Sequence, residues 1–359
     1  MAARINTPIP VTSDAELLAA VPHLVGFAPA DSLIVITVDD PGGAPSFGVT
    51  VRVDLPCPGG RGAVAEMLLR GPLRTQRTSA VFLVVVGHPP ERDPCGETCC
   101  PPDEPGSPPN AVLVDHLVRR FRARGITVLQ ALWAPEIRAG AAYHGYLDGE
   151  TGEVDDPLIS PVGTAMATAG AVTFGSREEL CSLVATEDPD AVQRRAARLD
   201  ALTEEREDEA TGSEILHRDV NTVFGAIQRT ATGAALTEED VVRVLLALSD
   251  TRVRDTMLGT VLSEQAGAAE QLWLELVRKA PEPEVADAAA LLAFAAYMRG
   301  EGGLASVALE RIEQVRPDHR LGTLLRHAMD AGITPADLAV VARDAAEDAR
   351  IMMDEEDAW

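Results

Sequence analysis

The first half of the chain interleaves short, almost wholly apolar runs with helical periodicity, and the second half shows helical periodicity alone. Residues 33–38 (LIVITV) and 80–86 (AVFLVVV) are unbroken aliphatic and β-branched runs, which predicts strands covered on both faces. Between them, residues 47–55 alternate. Phe47, Val49, Val51, Val53 and Leu55 fall on one face and Thr50, Arg52 and Asp54 on the other, the pattern of a half-exposed strand near a sheet edge. Residues 126–133 predict a further strand, and 136–147 two short ones closed by the turn Asp148-Gly149.

Ser13 and Glu16 form a capping-box pattern opening a helix to about Ala20, with Pro22, Gly26 and Pro29 predicted to break it. Helices are also predicted over 62–70 and 111–124, the second stopped by Gly125. Apolar strands separated by helices imply an α/β domain with a mixed or mostly parallel sheet, placed at 1–175.

From Ser176 the period becomes 3.6 throughout. Helices are predicted near 177–185, 190–208, 213–230, 237–249, 251–264, 267–279, 284–299, 303–315, 319–331 and 335–350. A helical linker region at 176–212, with the charged run 203–211, precedes an all-helical domain over 213–359. In 289–317, Ala289, Ala293 and Ala305 are followed by Leu309 and Pro317, a spacing that matches tetratricopeptide-like helix hairpins. An ordinary bundle using Ala for close packing is the alternative.

Composition narrows the function classes. With 56 acidic against 31 basic residues the formal net charge is −25, which disfavours nucleic acid and anionic membranes as partners. The N-terminal residues lack the apolar core of a secretory signal, and no run reaches the roughly 18 apolar residues of a membrane helix. Five cysteines in such a chain predict reduced thiols and a cytoplasmic location. No phosphate-binding loop, dinucleotide fingerprint, zinc-protease helix or calcium loop occurs, so no cofactor and no catalytic residue is assigned.

Four groups of residues carry candidate chemistry. The 22–32 turn brings His23, Asp31 and Ser32 to the head of a strand, where open α/β sheets place ligands, although Asp-Ser is also ordinary turn chemistry. Arg52 and Asp54 share one strand face and could grip a polar ligand or pair with each other. Arg252, Arg254 and Asp255, at a helix junction, are candidate partner-binding residues or inter-helix ion pairs. Cys95, Cys99 and Cys100 lie in the Pro-rich loop 88–109; with His88 they have enough ligand atoms for a metal, but not a common zinc spacing.

Segments spanning nearly the whole chain resemble an actinobacterial family, domain of unknown function 4192. They are LLAAVPHLVGFAPADSLIV (17–35), RVDLP (52–56), SREEL (176–180), LSDTRVRD (248–255), residues 272–314 and LGTLLRHAMDAGITP (321–335). One departure is that Cys-Cys-Pro stands at 99–101 rather than beside the aromatic stretch 143–154. The resemblance implies a soluble bacterial protein of this two-part layout and brings no activity. The leading expectation is a non-enzymatic protein-interaction or regulatory module whose helical half binds a protein partner. The rival is a small-molecule sensor or enzyme with a pocket at the 22–32 turn and the strand carrying Arg52 and Asp54.

Overall fold

A computed structural model describes residues 11–39, 46–75, 78–88, 107–207 and 213–354 of the chain. They divide into two compact units. One comprises residues up to Arg177 together with Ala328–Ile333, the other Glu178–His327 together with residues from Thr334.

The α/β unit opens with α1 (Asp14–Val25), followed by strands β1 (Ser32–Asp39) and β2 (Ser46–Asp54). Helices α2 (Arg61–Arg70) and α3 (Pro72–Thr75) lead to β3 (Ala80–Val86), and α4 (Ala111–Arg122) to β4 (Thr127–Ala134). A hairpin of β5 (Ala142–Gly145) and β6 (Thr151–Glu153), a 3₁₀ turn at Pro157–Ile159 and α5 (Pro161–Thr168) complete it. The predicted turn at Asp148-Gly149 joins β5 to β6 instead of closing both, and only β5 lies within 136–147.

The strands form one mixed sheet in the order β2-β1-β3-β4-β5-β6. Among the described residues, β3 and β4 are the one parallel pair of neighbouring strands, and the other neighbouring pairs are antiparallel. The mostly parallel alternative therefore does not hold. A parallel pair needs a crossover long enough to return the chain to the same end, and α4 lies on such a crossover. Leu33, Val35, Leu83 and Val85 pack with Leu68 of α2 and with Leu113, Leu117 and Phe121 of α4. Ile34, Ile36, Val84 and Leu132 are also fully buried. Burial of alternate residues on both faces is why these runs are apolar at successive positions. β2, which alternates, is the edge strand and is half-buried for most of its length.

α1 runs through Pro22 to a left-handed Gly26 cap, φ 92°, whose N–H donates to the Pro22 carbonyl at 2.8 Å. The break expected at Ala20 does not occur. Pro22 falls in the last turn, so few helical bonds remain to be lost, and residues 17–22 are buried together. Ser13 Oγ accepts the Glu16 N–H, but the Glu16 carboxylate accepts from Thr12, so the capping box is half made.

The helical unit contains α6 (Arg177–Ser182, from Glu178), α7 (Pro189–Glu207), α8 (Ser213–Ala231), α9 (Glu238–Leu248) and α10 (Thr251–Thr256). A 3₁₀ segment, Met257–Leu262, follows. Then come α11 (Ala266–Lys279), α12 (Val285–Arg299), α13 (Gly302–Val315), α14 (Arg320–Asp330, to His327) and α15 (Pro335–Asp354). Every residue of α12 from Val285 to Ala296 is buried. α9, α11, α13, α15 and the 3₁₀ segment all contact it. A helix enclosed in this way is the centre of a bundle, whereas a stacked helical repeat leaves each unit an exposed face. The Ala-rich sequence allows this close approach, as in the bundle alternative. α7, within the expected linker region, packs on α9, and its buried Arg195 binds Glu238 and the Lys279 carbonyl.

α9 begins with a complete capping box between Thr237 and Asp240. Asp240 also accepts a hydrogen bond from Arg229 at 2.8 Å, which with the Thr237 bonds holds its carboxyl at about 2 against an ordinary 3.8. A carboxyl lowered on folding stabilises the fold above its unfolded value and loses that contribution as pH falls through its folded value. Asp240→Asn is therefore expected to destabilise by about 1 kcal/mol at neutral pH, after allowance for solvent screening. Urea titrations at pH 7, 4 and 2 should show the difference shrinking below pH 3.8 and mostly lost as pH falls through about 2.

Candidate functional site

β1 starts beside the end of β2, so Ser32 stands opposite Asp54 and Ile34 opposite Arg52. Arg52 Nε donates to Ser32 Oγ at 2.8 Å, and its Nη2 lies 2.6 Å from Asp54 Oδ1. The guanidinium carbon is 5.9 Å from the Phe27 ring centre, within cation–π range. Ser32 is fully buried and gives its own proton to the Ala30 carbonyl at 2.6 Å. Asp31 is exposed, in a left-handed conformation with φ 43°. Gly87, at φ 93°, lies so close beneath it that a Cβ there would sit 2.4 Å from Asp31 Oδ1. Asp31, Ser32, Arg52 and Asp54 thus share one corner. Nε and Nη2 of Arg52 are engaged by Ser32 and by the Asp54 carboxylate, which is 84% exposed.

His23 is engaged differently. Its Nε2 lies 2.8 Å from the Pro157 carbonyl and its Nδ1 2.8 Å from Thr173 Oγ1. A carbonyl only accepts, so Nε2 carries the proton, and in the neutral ring Nδ1 accepts from the threonine hydroxyl. The ring rests on Gly163, where a Cβ would come 2.4 Å from Nε2. His23 is therefore a latch between the 3₁₀ turn before α5 and the segment after it. Gly163→Ala is expected to push the imidazole off both partners and to destabilise by about 1–3 kcal/mol. The His23 ring resonances in NMR spectra would shift; unchanged resonances would contradict the latch.

The latched segments present apolar side chains outward. Leu158 is 88% exposed, Ile159 76% and Val172 59%. Their backbone is nonetheless tied. The Leu158 N–H donates to Asp156 Oδ1, the Ile159 N–H to the Asp156 carbonyl and the Ser160 N–H to the Pro157 carbonyl. Beyond Val172, Phe174 exchanges backbone hydrogen bonds with Gly26 and Ala28. None of Leu158, Ile159 and Val172 figures among the sequence candidates, because an apolar triplet reads as core until the tertiary fold exposes it.

An acidic surface lies on the same unit. Asp14, Asp148 and Glu150 bring carboxylate oxygens within 4.8 Å of one another. The Gln130 amide donates to Asp14 Oδ2 at 3.0 Å and to Asp148 Oδ2 at 2.5 Å. Burial, then the neighbouring carboxylates, push the Asp14 carboxyl up, against the Gln130 bond. Burial and the fields of Asp14, Glu150, Asp148 and Asp155 likewise push the Tyr143 phenol up.

The family model for a domain of unknown function, DUF4192, matches residues 15–336. The chain belongs to this family. No curated protein and no solved structure matches it. The DUF4192 description carries no activity, so function rests on the geometry.

Within the DUF4192 match, the candidate trio at the α9–α10 junction separates. Arg252 is exposed and pairs with Asp250, which caps α10. Arg254 turns inward. Its Nη1 donates to Asp287 Oδ1 at 2.8 Å, and Nε and Nη2 both reach Asp255. Asp287 also accepts from His319 Nε2 at 2.9 Å and from Arg316 at 3.1 Å. The Gly322 N–H donates to His319 Nδ1, so Nε2 carries the imidazole proton toward Asp287. Burial pushes the Asp287 carboxyl up, but the His319 and Arg254 hydrogen bonds hold it below its ordinary value. Arg254 is a buried strut and presents no charge to a partner. Cys95, Cys99 and Cys100 lie outside the described residues. No helix among the described residues is long and apolar enough to cross a membrane.

Proposed function

We propose that this chain is a non-enzymatic protein-interaction module of the cytoplasm that receives its partner on the Leu158, Ile159 and Val172 tip of the α/β unit. The observation that carries this is the combination of high exposure with a fixed backbone. Three large apolar side chains stand in solvent on segments held by His23, Asp156 and Phe174. His23 ties Pro157 and Thr173, the chain neighbours of Leu158 and Val172, and the three exposed side chains sum to roughly a few hundred Å², the size at which an apolar patch on a monomer is commonly functional. A fixed backbone lowers the ordering cost of binding. The Arg52 corner supports a ligand less well, because the Arg52 side chain is largely buried and its Nε and Nη2 already serve Ser32 and Asp54. Capture from lysate of the native cell tests the proposal, with wild type and the Leu158→Ser/Ile159→Ser variant as baits and quantitative mass spectrometry as readout. A partner reduced tenfold or more on the variant is expected. A partner set identical on both baits would contradict it.

A further inference from the structure

The chemistry of the partner can be read from the charges around the tip, on the premise that the tip is a protein-binding surface. Between residues 139 and 176 the chain has five carboxylates, Asp148, Glu150, Glu153, Asp155 and Asp156, and no Lys or Arg. Glu153 and Asp155 are exposed and lead directly into the 3₁₀ turn that carries Leu158 and Ile159. Among the described residues, none of these five, nor Asp14 beside them, forms an ion pair with Lys or Arg. Elsewhere the same chain neutralises its carboxylates readily, as in the Arg198–Glu239 and Arg229–Asp240 pairs. Asp14, Asp148 and Glu150 cluster within 4.8 Å of one another, and the short strand β6 leads from Glu150 directly to Glu153 and Asp155.

An apolar tip adjoining an acidic strip that forms no ion pair with Lys or Arg among the described residues is complementary to a segment that pairs apolar anchors with basic side chains. The apolar area falls short of the roughly 800 Å² per partner of a stable complex, which argues for a short segment rather than a second copy of this equally acidic chain. We propose that the tip and the strip formed by Glu153 and Asp155, continuing to Asp148 and Glu150, dock a short basic segment of a partner protein through its aliphatic side chains.

Fluorescence anisotropy with the full chain and three labelled synthetic peptides of equal length tests this. One peptide is built of Leu and Arg, one of Leu and Glu, and one of Ser and Arg. Wild type is expected to bind the Leu/Arg peptide at least tenfold more tightly than either other. Leu158→Ser/Ile159→Ser, which leaves the charge unchanged, should weaken that binding tenfold or more. Glu153→Lys/Asp155→Lys, which leaves the apolar tip unchanged, should do the same, and raising salt from 50 to 500 mM should weaken binding to wild type. Asp344→Lys, on α15 in the other unit, should leave it within twofold. Circular dichroism of each variant confirms that it is folded.

Equal affinity of the Leu/Arg peptide for wild type and the Leu158→Ser/Ile159→Ser variant would overturn the proposal by exposing mere attraction to an acidic protein. Equal binding of the Leu/Glu peptide would overturn it too. A native partner captured through the tip but lacking any basic segment would overturn the assigned chemistry while leaving the interaction role intact.

Discussion

Replacing Asp287 by alanine is expected to lower the unfolding free energy by about 3–5 kcal/mol, the largest loss from any single polar substitution in the helical unit. The carboxylate sits on the enclosed helix α12 and is the common acceptor for Arg254, His319 and Arg316. Removing it leaves a buried guanidinium with only exposed Asp255 to answer it, and leaves the His319 Nε2–H without its acceptor. Burial of a charge without its counter-charge costs far more than the pair contributes over an apolar substitute. The companion variant Arg254→Met/Asp287→Leu, which removes both charges, should accordingly recover most of the loss. Urea unfolding followed by circular dichroism at 222 nm measures both. The Asp287 carboxyl is lowered from 3.8, so the contribution of its ionisation is present above that value and fades as pH falls through the lower folded one. The Asp287→Ala deficit should therefore narrow in acid. A deficit below about 1 kcal/mol at neutral pH would show that the network is not the strut described.

The second large effect is on binding rather than stability. Leu158→Ser/Ile159→Ser is expected to change the unfolding free energy by less than about 0.5 kcal/mol, because the side chains it shortens are already in water. The same substitution should weaken the partner complex by about 30-fold, equivalent to roughly 2 kcal/mol, as when a central apolar anchor is lost. Isothermal titration with the captured partner and urea unfolding of the same preparation separate the two quantities. Loss of binding together with loss of stability would mark the tip as part of the fold.

Legibility in the sequence followed the range of the interactions. β3 is found residue for residue at 80–86, because a strand buried on both faces declares itself locally. Most helices of the second half fall within a residue or two of their predicted ends, since each carries its own period and caps. α5, PVGTAMAT, was missed because small residues give it little periodicity. The roles of candidate residues were hidden for a different reason. His23 binds partners 134 and 150 positions away, and Arg254 meets Asp287 and His319 at separations of 33 and 65. No local pattern distinguishes such a latch from a ligand-binding histidine, or such a strut from a surface charge. Arg52 and Asp54 were the more readable pair, because period-2 alternation places them on one strand face and the ion pair follows. Leu158 and Ile159 mark the opposite limit, where apolar residues that look suited to burial are held in solvent.

Hydrogen–deuterium exchange of the full chain, alone and saturated with its captured partner, tests the interaction surface most directly. Added protection should concentrate at residues 157–160 and 171–174, with lesser protection over 148–156 and none over α12. Protection confined to the helical unit, with the tip exchanging as freely as in the unbound chain, would contradict the proposed binding surface.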